Sequence, residues 1–355
     1  MIHALISRRG LLQSSAALSI AAVLPRGLAA AEAKLVNVYN FDTYIGKTTR
    51  RTFTQATGIR VKYDLYGSNQ ELLAKLRAGN PGYDVIFPSD FMIGTMTKLD
   101  LLSPLDHAKL PNMRHLDPMP RVSNPPSNPG LKYGLPYQWG TIGIGYRKSK
   151  VKSVPVGWQA LFDNPAMSGR IALLSEPREV LGCALKYLGR SVNSTAQDEI
   201  NLARDLIVRN KRTFKTFAAD NGQDLLANGE VDLVMEYNGD VLSVMQENKG
   251  LGFVVPQEGT VLWTDFACIP KGAPHPDNAH AFINHLHDPK VNAEIANTIH
   301  YASTNASAKQ FIRADDLQNP SIYPPADLIA KCEILQDVGD ALRLYDRAWT
   351  EVQAA

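Results

Sequence analysis

Cysteine is scarce: Cys183, Cys268 and Cys332 are the only three in 355 residues, an odd and widely spaced set with no C-x-x-C pair. That excludes a disulfide framework and a zinc knuckle, allows at most one bridge, and leaves buried structural thiols as the expected state. Signatures of covalent chemistry are also missing. There is no G-x-S-x-G, H-E-x-x-H or P-loop, and GTIGIGY, from Gly140 to Tyr146, lacks the third glycine of a dinucleotide fingerprint. His280, His285 and His287 follow at spacings of five and two, which does not put a metal pair on one helix face, so they are expected at the solvated surface. No catalytic residue, metal or cofactor is expected.

A bilayer span is lacking too. The N-terminal apolar run from Gly10 to Leu24 is shorter than the roughly 20 residues a membrane helix needs. It lies between Arg8-Arg9 and a small-residue region around Ala29 to Ala33, so residues 1–31 read as an export signal that is cleaved, sending the mature chain to the periplasm. The arginine pair in SRRGLL, the weak hydrophobicity and Arg26 resemble a twin-arginine signal, with a plain secretory signal as the alternative. Charge of one sign is also missing. Without Arg8, Arg9 and Arg26 the basic residues fall one short of the 35 acidic ones, which gives no reason to expect nucleic acid or an anionic membrane as partner.

What is present is an ordinary globular composition, 45% hydrophobic and 20% charged, at a length that suits two domains. From Lys34 strands and helices alternate. KLVNVYN and IRVKYDLY read as strands around the helix TTRRTFTQAT, which Gly58 closes; SNQELLAKLRAG is a helix opened by the capping box Ser68 to Glu71, and YDVIFPS is a buried strand. A second α/β unit follows, with strands at GRIALLS, TFKTF and EVDLVMEY and helices at REVLGCALKYLG and QDEINLARDLIVRN. Two long extended stretches, YGLPYQWGTIGIGYR and GFVVPQEGTVLWTDFACIP, join the units, and a single helical run, NAHAFINHLHDPKVNAEIANTI, comes after. The expected fold is α/β with parallel βαβ units, two lobes and a cleft between them, where ligands meet the carboxyl ends of strands.

Aromatic and acidic residues recur together at those strand ends. YNFDTY offers Phe41, Asp42 and Tyr44; FPSDF offers Ser89, Asp90 and Phe91; SEPREV brings Glu176 and Glu179 to a helix start; MEYNGD brings Glu236, Tyr237 and Asp240; and LWTDF places Trp263 and Asp265 on one strand face. Singly, each acid suits a helix cap or the surface and each aromatic a core position. Recurrence at five strand ends suits an organic cation. A carboxylate about 4 Å from an ammonium is worth about 1 kcal/mol in water but about 4 kcal/mol at the effective dielectric of a closed cleft, and a desolvated cation over an aromatic face gains about 2 kcal/mol more.

Across nearly the whole mature length the chain resembles the periplasmic polyamine-binding proteins of bacterial ABC transporters, those that deliver putrescine and spermidine. VYNFDTYIG, TGIRVKYDLYGSNQELLAKLRAG, YDVIFPSDF, LPYQWGTIGIGY, EPREV, ANGEVDLVMEYNGD, LWTDFACIP, IYPPADLIAKC and RAWTEV carry the resemblance. It implies a type II two-lobed periplasmic binding protein, with lobe 1 over 35–137 and a return segment 266–312, lobe 2 over 138–265, and residues 313–355 packing on lobe 2. It also implies a monomer that hands its ligand to an inner-membrane permease and performs no catalysis. The implied ligand contacts are Phe41, Tyr44, Ser89, Phe91, Glu176, Glu179, Tyr237, Asp240, Trp263 and Tyr301, with Asp265 the central amine-binding acid and Asp42 an added carboxylate at a position the family fills with a small polar residue. Phe41 and Tyr237 stand where the family usually has tryptophan, and Phe91 where spermidine-type members have tyrosine. Two other readings stay open: a receptor for another cationic metabolite such as an opine, a guanidino compound or a basic amino acid, for which Arg178 is the only arginine within the five strand-end motifs, and an exported hydrolase using Glu176 and Glu179 as a carboxylate pair.

Overall fold

Strand β1 (Leu35–Phe41) runs parallel to β2 (Arg60–Tyr66), Leu35 opposite Arg60 through to Phe41 opposite Tyr66, and to β3 (Val85–Ile86) on its other side. These are features of a computed structural model that describes residues 32–119, 124–219 and 221–355; the expected export signal, 1–31, lies outside them. The helix between β1 and β2, Thr49–Thr57, stops at Gly58, which takes φ 71° and donates its N–H to the Thr54 carbonyl. After β2 the Ser68 hydroxyl caps the helix Asn69–Arg77 by accepting from the Glu71 N–H. The Glu71 carboxylate reaches back one residue further than in a capping box, to the Gly67 N–H. The strand expected over YDVIFPS shortens to Val85–Ile86. The Phe87 carbonyl takes the Tyr66 hydroxyl instead, and Pro88, with no N–H to extend a ladder, receives the Phe266 N–H at its carbonyl.

The remaining strands are β4 (Leu102–Ser103), β5 (Gly134–Arg147), β6 (Ile171–Leu174), β7 (Phe214–Ala218), β8 (Leu233–Tyr237), β9 (Leu251–Val254), β10 (Val261–Pro270), β11 (Ala302–Ser303) and β12 (Glu333–Ile334). The ladder order is β2-β1-β3-β10-β5-β8-β6-β7, so the two parallel groups sit at opposite ends and β5 and β10 join them as an antiparallel pair. The second expected long stretch, GFVVPQEGTVLWTDFACIP, is not continuous but breaks over 255–260 into β9 and β10, where Pro256 and Gly259 interrupt the strand. Every residue of β10 is buried. Its register slips between Asp265, opposite Gln138, and Phe266, opposite Pro136. The bulge frees Tyr137 from the ladder, and its hydroxyl donates to the Tyr44 carbonyl at 3.0 Å, tying the crossing to the loop after β1.

Bare backbone makes room for the aromatic at the centre of this crossing. A Cβ at Gly140 would stand 2.5 Å from the Trp263 ring and 2.4 Å from the Asn238 side-chain oxygen, which itself accepts the Thr141 N–H. Gly140→Ala is expected to lower folding stability by about 2 kcal/mol, read as a lower denaturant midpoint at unchanged m.

Two expectations are corrected here. The single helical run is two helices, Pro276–Leu286 and Pro289–Ile299, broken where Asp288 caps the second by accepting from the Lys290 and Val291 N–H groups ahead of Pro289. His280 and His287 are buried and not solvated, because their separation of seven places both on the helix face that packs inward. His280 accepts the Asp106 N–H, and the His287 ring lies between the Ile283 and Pro136 carbonyls. All three cysteines are buried. The C-terminal helix, Leu342–Ala354, packs on the helices Pro177–Tyr187 and Gln197–Arg209, with buried Tyr345 donating to the Ser194 carbonyl.

Candidate functional site

The carboxyl ends of β1, β3, β6, β7 and β8 converge on one cavity of about 760 Å³, part of it open to solvent. All twelve residues named as ligand contacts line it, whereas Asp90 and Glu236, offered by the same motifs, are buried and do not. Asp265 enters from the crossing strand, accepts the Ser89 hydroxyl at 2.6 Å and is 5% exposed. Burial pushes its carboxyl up to about 7, against the downward pull of the Ser89 hydroxyl and the neighbouring Tyr44 phenol. The Tyr44 hydroxyl is buried and closes no hydrogen bond of standard geometry.

Across the cavity, Glu176 and Glu179 stand at the start of the helix Pro177–Tyr187, where the unpaired backbone N–H groups favour negative charge. Glu179 is buried and accepts the Tyr237 hydroxyl at 2.8 Å; burial first, and then the nearby Glu176 charge, hold its carboxyl well above the usual range. Burial also raises Glu176, while the Gln70 side-chain N–H, 2.8 Å from its Oε2, pulls it down. Asp240 lines the wall from the first turn of the helix Asn238–Glu247, and Asp42 lines the exposed rim, its Oδ1 accepting the Thr43 N–H.

The aromatics form a continuous edge-on series. Phe41 meets Tyr44 at 6.0 Å, Tyr44 meets Tyr301 at 5.5 Å, Tyr301 meets Trp263 at 5.0 Å and Trp263 meets Tyr237 at 5.9 Å, with interplanar angles between 74° and 88°. Phe91 adds a further face. The core and cleft readings of Tyr44, Trp263 and Tyr301 both hold, for each is under 9% exposed and each borders the cavity.

Among the described residues, no lysine, arginine or histidine lines the cavity. Arg178 turns away: its guanidinium lies 4.5 Å over the Tyr345 ring and donates to the Gln336 carbonyl and the Asn193 side chain. Sequence reasoning missed Gly67, Ser68, Asn69, Ser175 and Ala219, which also line the cavity. Asn69 matters most, because it grips Ser89 from both sides, donating to its hydroxyl at 2.9 Å and accepting its N–H at 3.1 Å. Its position just after β2, at a strand's carboxyl end, is the signal that could have found it. Asp90, between two lining residues, faces away from the cavity and accepts the Phe91 and Thr264 N–H groups.

Residues 49–325 match the sequence profile of the bacterial extracellular solute-binding proteins. The chain belongs to that family. It is 34% identical to the putrescine-binding periplasmic protein PotF of Escherichia coli over 92% of this chain and 94% of that one. It is 33% identical to the spermidine/putrescine-binding periplasmic protein of Salmonella typhimurium, over 94% and 97%. Among solved structures, the spermidine/putrescine ABC transporter substrate-binding protein PotD of Streptococcus pneumoniae matches with TM-score 0.80 at 28% identity, over 91% of this chain and 99% of that one. The two-lobed α/β architecture of the solute-binding proteins is thus the fold of this chain.

Proposed function

We propose that this solute-binding protein captures a polyamine of the putrescine or spermidine class in the periplasm, closes its lobes over it and presents the closed form to an inner-membrane ABC permease. The observation that carries the reading is the composition of one cavity: among the described residues it is lined by five carboxylates, Asp42, Glu176, Glu179, Asp240 and Asp265, beside a run of aromatic faces, and by no basic side chain. Acids at separate points of the wall each take one ammonium, and the rings accept the methylene spacers between them. The relatives named for putrescine and spermidine support the same class.

The lobes are drawn at 35–137 with 266–312, and at 138–265 with 313–355, so that β5 and β10 carry both crossings. Closure is a population shift driven by contacts that need both lobes. The protein acts as a monomer, after export, and leaves its ligand unchanged. An opine or a basic amino acid fits less well, because its carboxylate would face acids alone. A hydrolytic use of Glu176 and Glu179 is disfavoured by the neutral donors each already accepts, Gln70 and Tyr237.

Isothermal titration of refolded, ligand-stripped protein against putrescine, cadaverine, spermidine, spermine and agmatine tests the proposal. One-to-one binding of at least one of them is the expected outcome, and absence of heat with all five overturns it.

A further inference from the structure

β2 and β6 stand at opposite ends of the ladder, separated by the crossing strands β10 and β5. Even so, the segments that follow them meet. Gln70, on the helix after β2, donates its side-chain N–H to Oε2 of Glu176, at the start of the helix after β6, across 2.8 Å. Gln70 is exposed and is not among the lining residues, whereas its neighbours Gly67, Ser68 and Asn69 are, so the bond lies at the rim where the cavity meets solvent. The contact exists only when the curled sheet brings its two ends together.

We propose that Gln70 is a latch for the bound cation, a positioning residue that acts through Glu176; this rests on the polyamine reading above. The chemistry suits the task. A neutral amide donor leaves Glu176 its negative charge, occupies one of its two oxygens and leaves the other to an ammonium, so ligand and latch are held by the same carboxylate without competing. A lysine at this position would neutralise the acid that the cation needs, and a glutamate would repel it. The latch therefore slows escape of the ligand and does not attract it, and its contribution falls on the dissociation rate.

Stopped-flow kinetics with putrescine on Gln70→Ala, Glu176→Ala and the double variant test the assignment, together with small-angle scattering of the wild type and Gln70→Ala without amine. Gln70→Ala is expected to speed dissociation roughly three- to tenfold with little change in the association rate, the scale of one exposed hydrogen bond to a charged group. It is expected to add nothing further in the Glu176→Ala background, and to raise the radius of gyration in the absence of amine. An unchanged dissociation rate, or an equal effect with and without Glu176, overturns the latch. Failure of the wild type to bind putrescine or any other polyamine overturns the polyamine reading instead, and the scattering comparison still reports on the contact between the two ends of the sheet.

Discussion

Asp265→Asn is expected to cut amine affinity at least about a hundredfold at neutral pH while making the ligand-free protein harder to unfold. The first effect follows from removing a charge that meets an ammonium inside a largely water-excluded wall, where such a pair is worth about 4 kcal/mol and not the 1 kcal/mol it has in water. The second follows from the position of the carboxyl, which burial pushes up to about 7. In the unfolded chain it titrates near 3.9, so the fold favours its protonated form. That contribution to stability is complete below about pH 4 and is lost as pH rises through 7, amounting to a few kcal/mol once the group must be ionised in place. Asparagine keeps the shape and can still accept the Ser89 hydroxyl, but never ionises. Calorimetric titration with putrescine beside thermal unfolding at pH 8 reads both effects. Retained affinity, or a lower melting temperature in the variant, contradicts the account.

Affinity is expected to depend on pH in the direction set by the same group. An ammonium beside Asp265 favours the ionised carboxylate, so the bound state has released a proton that the free site holds below about pH 7. Between pH 5 and 7 the affinity should therefore rise about tenfold per unit, and titrations in buffers of differing ionisation enthalpy should show about one proton released near pH 6. Glu179, held above its ordinary range by burial and by Glu176, adds a second release in the same direction. Asp265→Asn should flatten much of the profile. A flat profile would mean that the acids of the wall are ionised before the cation arrives, and a slope of the opposite sign would mean that binding takes up a proton; either contradicts the account.

Much of the site was legible because it obeys local periodicities. Alternation along a strand puts Trp263 and Asp265 on one side, and parallel strands deliver their carboxyl ends to one edge, so all five groups of aromatics and acids meet. Helical geometry explains Arg178 equally well: Glu176 and Glu179, three apart, share a face, while Arg178 is rotated off it toward Tyr345. What stayed hidden depends on residues distant in the chain. Asn69 reads as the start of a capped helix, and nothing near it announces Ser89, twenty residues on. The burial of His280 and His287 required knowing that a helix face was covered, and the shortening of β3 depended on Phe266 claiming the Pro88 carbonyl.

The edge-on series of rings through the cavity has an optical consequence. Of the four tryptophans, at 139, 158, 263 and 349, only Trp263 borders the cavity; its indole lies edge-on to Tyr301 and Tyr237, and its N–H has no hydrogen-bond partner among the described residues. An arriving cation changes the field at that one indole and leaves the other three in their surroundings. The protein thus carries its own fluorophore at the place where the ligand lands, and its ultraviolet emission follows occupancy in real time without any attached dye.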